Sequence, residues 1–276
     1  MPADWPLDPS IVLALASAGA IYLIADRRVR RGRLPNGLER GRRRAFLAGL
    51  LVIFGALQSP IEAGATTSFS VHMVQHLLLT MVAAPLLVLG APTVLALRAW
   101  HGTPRRVLIS ALRGPPVRLV TNPLVAWPLF FGVMWGAHLT GIYDLTLRSE
   151  AVHVAEHAAF LVTAVLFWMP VVGADPIPVR LSHPARILYL FLAMPAMAFL
   201  GLALVSTRYV LYPTYAQAEG IARALADQRA AGAIMWGGTM ILIVPAMAFV
   251  LLDWMRADER EARRVDARLM HAEGAR

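Results

Sequence analysis

Five of the eight histidines in this 276-residue chain fall inside long apolar stretches, at a spacing that suits ligation. His72 and His76 are four residues apart, as are His153 and His157, and His138 stands alone. On a helix this spacing puts both imidazoles of a pair on one face, about 6 Å apart along the axis. One such pair can chelate an ion, and two facing pairs can supply a shell of four nitrogens. Glu156 lies between His153 and His157, and a carboxylate in an apolar stretch is costly unless something cationic neutralises it. A bound ion or a histidinium would do so, with Glu156 either ligating directly or hydrogen-bonding a histidine that ligates. Met73, Met134 and Met235 stand at similar depth. A thioether favours Cu(I) over Zn(II), while methionine also commonly fills irregular gaps between helices. There is no cysteine, so thiolate sites and disulfides are excluded, and any metal must be held by His, Met, carboxylate or backbone. His101, His183 and His271 fall in arginine-rich segments and are set aside.

The elements that carry these residues are membrane helices. Hydrophobic residues make up 58% of the chain, and the mean hydropathy of +0.58 exceeds what a soluble domain needs to fill its core. Stretches long enough to cross about 30 Å of hydrocarbon lie near 10–25, 45–61, 69–97, 119–139, 151–173, 186–206 and 229–252. The expected fold is therefore all-α, a polytopic bundle of seven transmembrane helices over residues 1–254 with a basic tail over 255–276. Met1–Ser10 carries Asp4 and Asp8 and no arginine, unlike the basic start of a signal peptide, so the first stretch reads as a retained helix. Pro85 is expected to kink the third stretch, and Gly90-Ala91-Pro92 to bend or end it.

Charge fixes the expected orientation. All 26 basic residues are Arg, and the balance is +9. Nine arginines follow the first stretch, from Arg27 to Arg44, five follow the third, two the fifth, and six lie in the tail. The alternate connections hold only Arg148, Arg208, Arg223 and Arg229. The positive-inside rule then sets the N-terminus outside and the C-terminus in the cytoplasm, with all five histidines at the outer ends of their helices. Arginine confined between apolar stretches reads as topology, not as a nucleic-acid surface. Trp135, Tyr143 and Trp236 read as interfacial anchors. Asp227 and Gln228, at the start of the last stretch, read as caps of its N-terminus or as groups that orient a histidine.

No P-loop, dinucleotide fingerprint, zincin motif or serine elbow occurs, so the chemistry on offer is ligand binding and no enzymatic role is expected. Four readings compete: a metal-holding protein; a metal transporter, which would need polar groups continuing toward the cytoplasm; a membrane cytochrome with haem clamped between two histidines; and a structural histidine network. Residues four apart cannot carry two stacked haems, which favours an ion, and zinc suits imidazole as well as copper does.

Several motifs in order resemble the CtaG-type cytochrome c oxidase assembly factors. His72-Met73-Val74-Gln75-His76-Leu77-Leu78-Leu79, with Ala84-Pro85 and Leu89-Gly90-Ala91-Pro92, is similar to one signature of that family. Trp135, His138, Tyr143-Asp144, His153-x-x-Glu156-His157, Phe167-Trp168 and Pro170 resemble its central block, and Asp227-Gln228, Gly232 and Ile234-Met235-Trp236 its last signature. Leu139-Thr140-Gly141-Ile142 departs from it where a proline-containing turn is expected. The resemblance implies a seven-helix, multi-pass protein of the bacterial cytoplasmic (inner) membrane that delivers copper to a haem-copper oxidase, and the thioethers at the same depth favour Cu(I). Its expected ligands are His72, His76, His153 and His157, with His138 and Glu156. Its expected partners are an oxidase subunit or a periplasmic copper chaperone.

Overall fold

The computed structural model describes residues 7–31, 37–176 and 178–273; Asp4, Arg33 and Arg276 lie outside them. Helices follow one another as α1 (Pro9–Val29), α2 (Gly37–Leu57), α3 (Pro60–Ala65), α4 (Phe69–Leu77), a π-helical segment (Leu78–Ala83), α5 (Ala84–Leu89), α6 (Pro92–Ala99), α7 (Gly102–Arg113), α8 (Pro115–Val120), α9 (Pro123–Leu139), α10 (Ile142–Thr146), α11 (Glu150–Val172), α12 (His183–Ser206), α13 (Pro213–Glu219) and α14 (Ile221–Glu273). The described residues are all-α, with no strand. Each of the seven apolar stretches is helical, and among the described residues five helices are long and apolar enough to cross a membrane: Pro9–Val29, Phe69–Ala99, Glu150–Val172, His183–Ser206 and Ile221–Asp266. α9 is shorter, at 17 residues, and α2 opens with Arg40, Arg42, Arg43 and Arg44, so its apolar part is brief.

Local chemistry sets the helix ends. Asp8 caps α1, its carboxylate accepting from the Ser10 N–H at 2.7 Å, and Pro9 occupies the first turn, where the missing donor costs nothing. Asn122 and Pro123 open α9 in the same way. Gly173 closes α11 in the left-handed conformation, at φ 61°. α14 has no glycine or proline between Pro245 and Glu273, so it runs on past residue 255 as one helix, about 80 Å long at 1.5 Å per residue.

The third stretch is interrupted at two places. Pro85 has no N–H to give, and the turn before it widens to π geometry, in which the Ala84 N–H bonds the Leu79 carbonyl. The Thr80 carbonyl loses its partner within the helix and accepts instead from the Trp168 indole N–H at 2.9 Å. Ala91 then adopts φ 48°, which turns the chain into α6.

The main core joins α4, α9, α11, α12 and α14 through buried Phe69, Phe130, Phe160, Phe167, Met197 and Met235. α12 and α14 cross at Gly201 and Gly232, where a Cβ on either glycine would lie 2.7 Å from the other's carbonyl oxygen. Only small residues permit so close an approach. α3, α10 and α13 connect helices at the histidine end, whereas the arginine-rich α6–α8 and the connecting residues 173–176 and 178–182 lie at the opposite end.

Two sequence expectations are corrected by the packing. α14 begins at Ile221, so Asp227 and Gln228 stand in its second turn and cap nothing there. Asp227 instead accepts from the N–H groups of Phe69, at 2.6 Å, and Ser70, at 3.2 Å, which caps α4 from across the bundle. Gln228 holds the connection after α12, accepting from the Leu211 N–H at 2.8 Å. Tyr143 is no interfacial anchor: it is fully buried against Phe69 and Tyr212.

Candidate metal centre

α4 and α11 each present one i, i+4 histidine pair, and the pairs face each other. Donor atoms of His72, His76, Glu156 and His157 all lie within 4.8 Å of one another, and all four residues are buried. Glu156 Oε2 is 3.9 Å from His72 Nε2 and 3.9 Å from His76 Nε2. Donors that share one ion at bond lengths of about 2 Å can be up to about 4 Å apart, so a single ion fits between them with little movement.

The hydrogen bonds around the cluster leave its inward atoms bare. A carbonyl oxygen only accepts, so the 2.7 Å contact from His138 Nδ1 to the Met134 carbonyl places the proton on Nδ1 and the lone pair on Nε2. The Tyr215 hydroxyl donates to the Ala65 carbonyl at 2.9 Å, so it can only accept from His72 Nδ1 at 3.4 Å, which leaves His72 Nε2 unprotonated. Histidines whose second nitrogen donates to an oxygen in this manner are oriented as metal ligands are. His72 Nε2, both nitrogens of His76, Nε2 of His138, His153 and His157, and both oxygens of Glu156 are buried without a hydrogen-bond partner. Unsatisfied buried polar atoms are costly, and here one donor from each of His72, His76, Glu156 and His157 falls within 4.8 Å of the others.

The outer lid of the cluster is aromatic. Phe69 packs against Tyr143, Tyr212 and Tyr215 at ring separations of 5.0, 4.7 and 5.9 Å, and the Tyr212 hydroxyl donates to the His138 carbonyl at 2.9 Å. Burial holds the Tyr212 and Tyr215 phenols well above their ordinary value, so both remain neutral donors. Toward the arginine end the cluster rests on Phe160, 4.6 Å from His76, and below it on Phe130, Phe167 and Trp168.

Of the six residues expected at the site, four form the compact group. His138 is adjacent, its ring 5.9 Å from His76, and is fully buried. His153 lies on the rim, 4.3 Å from His157 and 5.2 Å from His72 by ring centroid, with its side chain 15% exposed. Met73, Met134 and Met235 are buried members of the apolar core.

Sequence reasoning missed Glu62. Its carboxylate accepts a short hydrogen bond from Gln75 Nε2 and lies 3.8 Å from His153 Nδ1. Burial pushes the Glu62 carboxyl up from the usual carboxylate range, opposed by the bond from Gln75. Ser59-Pro60-Ile61-Glu62 has the pattern of a helix start, and that signal could have located α3. That the Glu62 side chain turns to a histidine is a matter of packing.

A family described as cytochrome c oxidase caa3 assembly factor matches residues 20–257. The chain belongs to this family. Among curated proteins, an uncharacterized protein of Mycobacterium leprae (strain TN) is 30% identical over 272 residues, covering 95% of this chain and 41% of that protein. Uncharacterized proteins of Mycobacterium bovis and Mycobacterium tuberculosis are each 32% identical over 266 residues, covering 93% of this chain and 39% of theirs. The chain thus spans about two fifths of the length of these relatives. No solved structure matches. The His/Glu cluster lies within the residues that match this family, in a chain whose described residues include helices long and apolar enough to cross a membrane.

Proposed function

We propose that this protein holds one Cu(I) ion between His72, His76, His157 and Glu156, with His138 in reserve, and passes it to a copper-receiving subunit of the oxidase. The proposed topology has seven membrane passes in a bacterial cytoplasmic membrane, the N-terminus outside and the cluster near the outer face. A periplasmic copper chaperone is the proposed donor. The observation that carries this reading is the convergence of buried, unpartnered nitrogen and carboxylate atoms within 4.8 Å. A carboxylate facing bare imidazole nitrogens is an arrangement that a bound cation relieves.

Charge favours a monovalent ion. Three neutral imidazoles and one carboxylate balance Cu(I) fully, whereas Zn(II) would leave a net positive charge in a buried site, which is unfavourable. Copper is also the metal that a haem-copper oxidase must acquire. The aromatic floor of Phe160, Phe130, Phe167 and Trp168 supports holding over conduction through the membrane. Haem fits less well: ring centroids across α4 and α11 are only 5.2 to 5.5 Å apart, with Glu156 between them. A porphyrin would have to displace them.

Metal analysis and an optical spectrum of the detergent-purified protein, isolated with and without added copper, test the reading. About one copper per chain and no Soret band are expected. A Soret band would establish the haem reading, zinc in place of copper would overturn the choice of ion, and no metal under either condition would overturn the site.

A further inference from the structure

Resting on that reading, we propose that the ion reaches the cluster sideways, through a cavity bounded by α1, α2, α3 and α11, and that Glu62 with His153 forms an outer transfer site at the cavity's inner end. The cavity measures about 390 Å³. Its polar part is made by Asp8, Gln58, Glu62, Glu150, His153 and His157, and the remainder of its wall is apolar. Among the described residues three carboxylates and no arginine line it, although the chain as a whole carries +9. A mouth of one sign of charge with low-dielectric walls concentrates the opposite ion.

His157 joins the cavity to the cluster. It is more than nine-tenths buried, its Nε2 has no partner, and it lines the cavity while its donor atom belongs to the inner group. His153 stands one step further out. Its Nδ1 is 3.8 Å from Glu62 Oε1, its ring neighbours both His157 and His72, and its Nε2 is unpartnered. It therefore touches a carboxylate of the mouth on one side and two inner ligands on the other. The hydrogen-bonded tyrosines cover the cluster on its outward side and Phe160 on its inward side. Passage needs only ligand substitution: Glu62 and His153 bind the incoming ion, and His157 and His72 replace them. The oxidation state does not change, and no bond other than metal–donor bonds forms or breaks.

The test uses the full chain in lipid nanodiscs, with Cu(I) supplied as its bicinchoninate complex and loading followed by loss of that complex's absorbance. Glu62→Gln keeps an acceptor for Gln75 while removing the charge, and His153→Ala removes the relay ring. Both are expected to load at least about tenfold more slowly than the wild type, the scale of electrostatic steering, and to reach the same final copper content. Ala158→Trp, which obstructs the cavity wall without touching a donor, is expected to slow loading likewise. Unchanged rates in all three variants would overturn the route. Loss of final content in Glu62→Gln or His153→Ala, to the level of His76→Ala, would make these residues resident ligands and overturn the transfer site. In both of those outcomes the copper site itself survives; a wild type that takes up no copper would remove both.

Discussion

The two ends of the bundle bury ionisable groups in opposite ways. At the arginine end each buried acid has a partner. Asp26 is held by Arg30 at 2.6 Å and by Arg43 at 3.6 Å, and Asp175 accepts from the Val94 N–H at 2.9 Å. His183, at the same end, is paired with Asp253 at 3.2 Å. At the histidine end Glu156 and the imidazoles of His72, His76, His138 and His157 are buried as well, yet their inward atoms are left without partners. Of the eleven buried side-chain atoms that lack a partner among the described residues, nine belong to His72, Gln75, His76, His138, His153, Glu156 and His157. A satisfied polar group is architecture. A concentration of unsatisfied ones, in a core as well packed as this, marks the place where a ligand completes the structure.

The comparison breaks most readily at the histidines themselves. His76→Ala or His157→Ala is expected to lower copper retention at least about tenfold, the scale seen on removing groups from metal sites, whereas His183→Ala should leave it unchanged. Equal losses, measured as copper per chain after dialysis against a chelator, would mean that burial without partners carries no information here. A smaller effect is expected from the two acids that act across helices. Asp227→Ala removes the cap that α14 supplies to α4 and is expected to cost about 1–2 kcal/mol, read as a lower thermal midpoint in detergent, and to weaken copper retention by loosening the first turn that carries His72. Asp253→Ala, at an exposed cluster of surface charges, should cost at most about 1 kcal/mol. A larger loss from Asp253 would reverse the assignment of the tightly built end.

The smallest effect concerns pH. Burial raises the Asp175 carboxyl from its usual range, against the opposing bonds from Val94 and Thr93. Between its unfolded and folded values the folded protein therefore binds more protons than the unfolded chain, so this group's contribution to stability falls as pH rises through that window. Asp175→Asn should flatten the decline of the thermal midpoint as pH rises above the usual carboxylate range. An unchanged profile would show that the loop does not depend on that burial.

Much of this was legible from residue order. The helical class, the two His-x-x-x-His pairs and the segregation of arginine from histidine all follow from periodicity and charge, because a helix repeats with a fixed period and its own side chains report its faces. Pro85 announced an interruption, although not that the widened turn would release the Thr80 carbonyl to Trp168. Tertiary packing alone decided which faces meet. It set Asp227 of α14 on the first turn of α4, drew Glu62 to His153, closed the cluster with Tyr143, Tyr212 and Tyr215, and separated the compact group of four donors from His138 and His153. Each of these contacts joins residues from different helices, and local sequence carries no record of which helix becomes a neighbour. The sequence by itself determined that imidazoles and a carboxylate would share one end of a helical bundle; the packing determined that they share one point.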